Sequence, residues 1–172
     1  MTRHYSAALP IAFVVLRILI VLNWLFGAAI LVLLVLPHAQ WIMTELHLTP
    51  SAEATRLVWG LRAVAVIGLL TVPINQMILT RLLAMVATVR AGDPFVGLNA
   101  RRLQVIAWAL LALQILGLFV ALVDRAVSTP AHPLHLDSSF SIAGWLAVLF
   151  AFILARVFGE GTLMRADFDG TI

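Results

Sequence analysis

Hydrophobic positions in this chain fall into four long runs rather than an alternating pattern. Pro10 to Leu36 is apolar apart from Arg17 and Asn23, and Pro37 follows it. A bilayer core asks for about 20 consecutive apolar residues of helix. The first run can therefore span with tilt, and it is too long for the apolar core of a signal peptide. The same reading predicts helices over about 10–36, 57–90, 99–123 and 139–158. Asn99 is the expected N-cap of the third, and Ser138 and Ser139 are the cap candidates of the fourth. No internal repeat or low-complexity tract divides the chain. The pattern predicts an all-α, integral membrane four-helix bundle, with residues 1–172 as a single transmembrane domain.

The polar positions sharpen this layout. The second apolar run ends near Leu79, yet Thr80 to Arg90 continues it with no helix breaker. Gly92 then suits the position just past a helix end, and Pro94 lies beyond it. The second helix is expected to project from the membrane, turn at Ala91-Gly92-Asp93-Pro94-Phe95 and return as the third. Arginines set the orientation. Arg3, Arg81, Arg90, Arg101, Arg102, Arg156 and Arg165 fall on the elbow side, against Arg56 and Arg125 on the other. The positive-inside rule then predicts that both termini and the elbow are cytoplasmic.

The embedded polar residues that stand out are Arg17, Asn23, Arg62, Asn75, Gln76 and Gln114. Arg17 and Arg62 lie near helix ends and can snorkel. Helical spacing places Arg62, Leu69, Pro73 and Gln76 on one stripe. Pro73 lacks an N–H, frees the Leu69 carbonyl and kinks the helix. Such a stripe is expected to face the bundle interior. Asn23 and Gln114 are expected to hydrogen-bond across the first and third helices. Ala143, Ala147, Ala151 and Ala155 repeat every four residues and predict a close helix contact, within the bundle or in a homo-oligomer. Gly117 and Ala121 form a shorter version on the third helix.

Composition agrees with a membrane class: 63% of residues are hydrophobic, 11% are charged, and the mean hydropathy is +1.07. The pI of 11.0 suggests a nucleic-acid binder, but the net charge is only +3. All eleven basic residues are Arg, which raises the pI without a large charge. No direct nucleic-acid contact is expected. The absence of cysteine excludes thiolate catalysis, disulfides and cysteine-based metal sites. His38, His47, His132 and His135 fall on the outer side. His132, His135 and Asp137 are the weak metal candidates; their spacing across a proline reads more simply as a solvated loop. No span carries a histidine for haem. No phosphate loop, nucleophile elbow or HExxH motif is present. No catalytic residue and no cofactor are therefore expected.

The surface most suited to a partner is the elbow, with Arg81, Arg90, Asp93, Pro94, Phe95, Asn99, Arg101 and Arg102. Its arginines are expected to meet anionic headgroups, at about 1 kcal/mol each, or an acidic cytoplasmic protein. Gly92-Asp93-Pro94-Phe95 and Asn99-Ala100-Arg101-Arg102-Leu103 resemble a bacterial family of four-helix membrane proteins, domain of unknown function 2975. The tail, with Phe158-Gly159-Glu160-Gly161, Leu163, Asp167, Asp169 and Thr171-Ile172, is similar. Gly159 and Phe168 depart from the basic and polar residues expected there. The resemblance implies an inner-membrane protein and no known reaction. Family members are often encoded beside small helix-turn-helix DNA-binding proteins, which implies a membrane regulator or anchor for such a partner. Two alternatives stand behind it: a small oligomeric transporter or channel using the stripe from Arg62 to Gln76, and an outer-face metal-binding protein.

Overall fold

The computed structural model describes residues 8–35, 52–92, 96–128 and 141–169. They form four helices: α1 (Ala8–Val35), α2 (Ala52–Arg90), α3 (Gly97–Val127) and α4 (Ile142–Asp169). Each holds a stretch long and apolar enough to cross a membrane. Helix is the form such stretches take, because a bilayer core offers the backbone no water and a helix satisfies its own N–H and C=O groups. The chain is built as a multi-pass membrane protein.

Helix ends differ from those expected because apolarity marks where a membrane ends, not where a helix does. At 39 residues, α2 is about 58 Å long, nearly twice the thickness of a hydrocarbon core. It begins at Ala52 rather than Leu57 and runs to Arg90, as expected. The fourth helix continues past Phe158 to Asp169. Gly159 and Gly161 do not break it. Arg156 Nε donates to Glu160 Oε1 one turn on, at 2.7 Å, and Thr162 Oγ1 donates to the Gly159 carbonyl at 2.7 Å. Ser138 and Ser139 lie outside the described residues. The cap of α4 is Ser141, whose Oγ accepts the Gly144 N–H at 3.1 Å.

Packing follows chain order. α1 packs on α2, α2 on α3 and α3 on α4; among the described residues no other pair of helices touches. Among the described residues, the four helices of the bundle thus pack as a row in chain order. α1 buries only Gly27. Trp24, Leu25 and Phe26 beside it are each 60% exposed. Acyl chains solvate such side chains as well as a protein core would, so such a row is a stable solution in lipid.

One glycine marks each seam of the row. A Cβ on Gly27 of α1 would lie 3.0 Å from Val72 Cγ1 of α2. A Cβ on Gly60 of α2 would lie 2.7 Å from both Cγ atoms of Val127 of α3. A Cβ on Gly144 of α4 would collide with the Gln114 amide of α3. These notches bring the backbones together as small residues do in membrane helices. The alanine ridge is used in part. Ala151 is buried and Ala155 half-buried on the face that also carries Gly144 and Val148, whereas Ala143 and Ala147 are exposed. Gly117 has nothing near it and marks no contact.

Candidate functional site

The elbow is where the sequence concentrates its polar chemistry, and the structure ties that chemistry together. α2 ends at a left-handed glycine, Gly92, with φ 88°. Its N–H donates to the Val89 carbonyl at 3.1 Å. α3 begins after Val96, which is extended and holds the cap position. Asn99 is therefore not the N-cap. It lies one turn further in, only 1% exposed, as the largest fully buried side chain among the described residues. Its Nδ2 donates to Thr88 Oγ1 of α2 at 2.8 Å. Its Oδ1 accepts from Arg102 NH1 at 2.8 Å. Thr88 Oγ1 donates to the Met85 carbonyl at 2.7 Å, and Arg102 NH1 reaches the Ala84 carbonyl at 3.3 Å. Asn99 thus clamps both arms of the elbow.

Inter-helix contacts fix which residues share a level. Asn23 meets Val72 and Gln76, Arg102 meets Ala84, and Trp108 packs edge-on to Phe152 with ring centroids 5.3 Å apart. On that register Arg17, Arg81, Arg101, Arg102 and Arg156, from all four helices, lie within about one turn of a common depth. At the opposite end, Arg56 NH2 donates to the Ala126 carbonyl at 3.2 Å. From Arg62 to Arg81 along α2 is about 29 Å, close to the thickness of about 30 Å of a hydrocarbon core. Beyond the arginine level, α2 continues to Arg90 for about 13 Å more. Thr88 and Asn99 sit in that extension, and Arg102 reaches them from the arginine level.

Other embedded polar residues are placed differently from expectation. Asn23 and Gln114 do not bridge α1 and α3, which do not pack together among the described residues. Asn23 Nδ2 donates to the Val72 carbonyl at 3.0 Å and to Gln76 Oε1 at 3.4 Å, joining α1 to α2. Gln114 lies in the Gly144 notch of α4. The stripe of Arg62, Leu69, Pro73 and Gln76 is not buried as a unit. Gln76 is half-buried against α1, but Pro73 is exposed. Arg62 is half-buried with its guanidinium 5.5 Å from the Trp59 ring centroid. Asn75 is half-buried on α2. Phe13 had no role assigned from the sequence, yet Arg17 at 4.6 Å and Arg90 at 5.1 Å both lie over its ring. The spacing of Phe13 and Arg17 by four residues was the available signal. Asn23→Leu is expected to cost about 1 kcal/mol, read as a lower midpoint of unfolding in a denaturing detergent titration.

Among the described residues, two concavities are found at the arginine level. Arg81, Leu98, Arg101, Arg102 and Val105 line the smaller, of about 290 Å³, between α2 and α3. The larger, of about 750 Å³, lies between α3 and α4; Ala100, Arg101, Gln104, Phe152, Arg156 and Glu160 are among its lining residues. Arg101 borders both. Arg81, Arg90 and Arg101 are exposed, while Arg102 is half-buried in the lock. Asp93, Pro94 and Phe95 lie outside the described residues, as do His132, His135 and Asp137. Among the described residues no three histidine or carboxylate side chains converge as metal ligands.

A family model described as "Protein of unknown function (DUF2975)" matches residues 43–172. Comparison with the curated proteins and with the solved structures gives no match. The matched stretch covers well over half of the chain and holds three of its four helices with the whole elbow lock. The chain belongs to this family, DUF2975, whose function is unknown.

Proposed function

We propose that the protein is a non-enzymatic multi-pass protein of a bacterial inner membrane, with its elbow and both termini in the cytoplasm. The elbow, with its two arms clamped together by Asn99, serves there as a platform for a cytoplasmic protein partner. The single observation that carries this is the buried clamp of Asn99 on Thr88 and Arg102. A flexible loop loses conformational freedom when it binds, and that loss weakens association. The clamped arms of the elbow have lost it already on folding. The arginine imbalance supports the cytoplasmic placement. The family resemblance supports a small helix-turn-helix regulator as the partner, by analogy.

Two measurements test this. A cytoplasmic reporter fused at residue 92 is expected to be active, and an active periplasmic reporter there would overturn the orientation. Any small helix-turn-helix regulator encoded beside the gene is expected to co-purify with the full chain. It is expected to be lost when Asp93, Pro94, Phe95 and Arg101 are changed to alanine, with helix content unchanged. If the regulator never co-purifies with the native chain, or still does with the fourfold variant, the elbow is not its platform.

A further inference from the structure

We propose that the concavity of Arg81, Arg101 and Arg102 is a defined binding site for the phosphate of an anionic glycerophospholipid, with Leu98 and Val105 as its apolar wall. This goes beyond the partner platform and does not depend on it. Three observations converge. The first is composition: three guanidiniums line about 290 Å³ between two membrane helices. Guanidinium forks match phosphate oxygens in geometry and charge, and basic pockets between membrane helices suit phospholipid headgroups.

The second is preorganisation. Arg102 NH1 is held by Asn99 Oδ1 at 2.8 Å and by the Ala84 carbonyl at 3.3 Å. Its guanidinium is therefore positioned before any ligand arrives. Arg81 and Arg101 are exposed on the rim and form no ion pair with a described residue, in contrast to Arg156, which is engaged by Glu160. The third is depth. The site lies where arginines of all four helices share a level, about 29 Å along α2 from Arg62. That is the plane where a hydrocarbon core gives way to phosphates. A lipid here would seat its phosphate on the arginines and lay its glycerol and first methylenes toward Val105, with Leu98 on the headgroup side.

The test uses the delipidated full chain in mild detergent, with bound lipid read by native mass spectrometry. Phosphatidylglycerol is expected to be retained over phosphatidylcholine. R81Q and R101Q are each expected to weaken phosphatidylglycerol about fivefold, and together about twentyfold. R125Q, at the other end of α3, is expected to change nothing. Both rim arginines are exposed and outside the Asn99 clamp, so the variants are expected to unfold with the native midpoint. Equal retention of the two lipids, or native affinity in R81Q/R101Q, would overturn the proposal. So would displacement of phosphatidylglycerol by millimolar inorganic phosphate, which would assign the site to a soluble anion.

Discussion

Replacing Asn99 with alanine is expected to destabilise the protein by about 3 kcal/mol, the largest effect of any single side chain at the elbow. Asn99 hydrogen-bonds to Thr88 and to Arg102 from a site that is 1% exposed. One is to a guanidinium, and hydrogen bonds to charged groups contribute about 1.5–3 kcal/mol. Its removal leaves a part-buried cation and a hydroxyl short of a partner, with little water to replace the amide. Unfolding in a denaturing detergent titration reads the loss, and faster proteolysis near Gly92 reads the loosened turn. Asn99→Asp separates the two bonds. A carboxylate accepts from Arg102 but cannot donate to Thr88, whose hydroxyl must turn and leave the Met85 carbonyl. Its midpoint is expected between those of Asn99→Ala and the native chain. A midpoint within about 0.5 kcal/mol of native for Asn99→Ala, which is the range of an ordinary surface change, would show that the clamp does not hold the elbow.

Asn99 also shows what the sequence made legible and what it hid. An Asn just ahead of an apolar run is a sound N-cap candidate, because its side chain can accept an orphan N–H. The cap position falls to Val96 instead, and Asn99 turns its amide across to α2. A cap rule sees one helix, and this contact needs two. Thr88 precedes Gly92 and Asn99 follows it, so the elbow folds them face to face. That pairing becomes visible only once the turn is placed. The four spans were legible because water-to-lipid transfer acts on each run separately. The order of packing was not, because apolar residues look alike whether they meet a helix or an acyl chain. For the same reason the alanine ridge identified the right stretch of α4 and only half of the right face. The three seam glycines have no periodic signal at all. Each lies opposite a valine or glutamine that only the tertiary register selects.

Gly60→Ala is expected to destabilise the protein by about 2 kcal/mol, with Val127→Ala as its rescue. On helix propensity alone the change should help, since Ala is favoured over Gly by about 1 kcal/mol in a helix interior. Packing opposes it. The new methyl would lie 2.7 Å from both Cγ atoms of Val127 and 3.0 Å from its Cβ, well inside contact distance. A β-branched side chain has one favoured rotamer on a helix and cannot swing its bulk aside. The end of α3 is also held. Arg56 donates to the Ala126 carbonyl at 3.2 Å, and Ser128 Oγ donates to Asp124 Oδ1 at 2.8 Å. Relief must come from moving α3 off α2, which opens the seam around buried Leu57 and Val58. In Gly60→Ala/Val127→Ala the methyl takes the space the valine leaves, and the detergent-unfolding midpoint is expected to return to within about 1 kcal/mol of native. Gly117→Ala supplies the opposite sign on α3. Nothing lies within 4 Å of that Cβ, so propensity acts unopposed and the midpoint is expected to rise. If both glycine variants move stability in the same direction, seam contact is not what sets the sign, and the close approach of α2 to α3 at Gly60 is not what holds this end of the row.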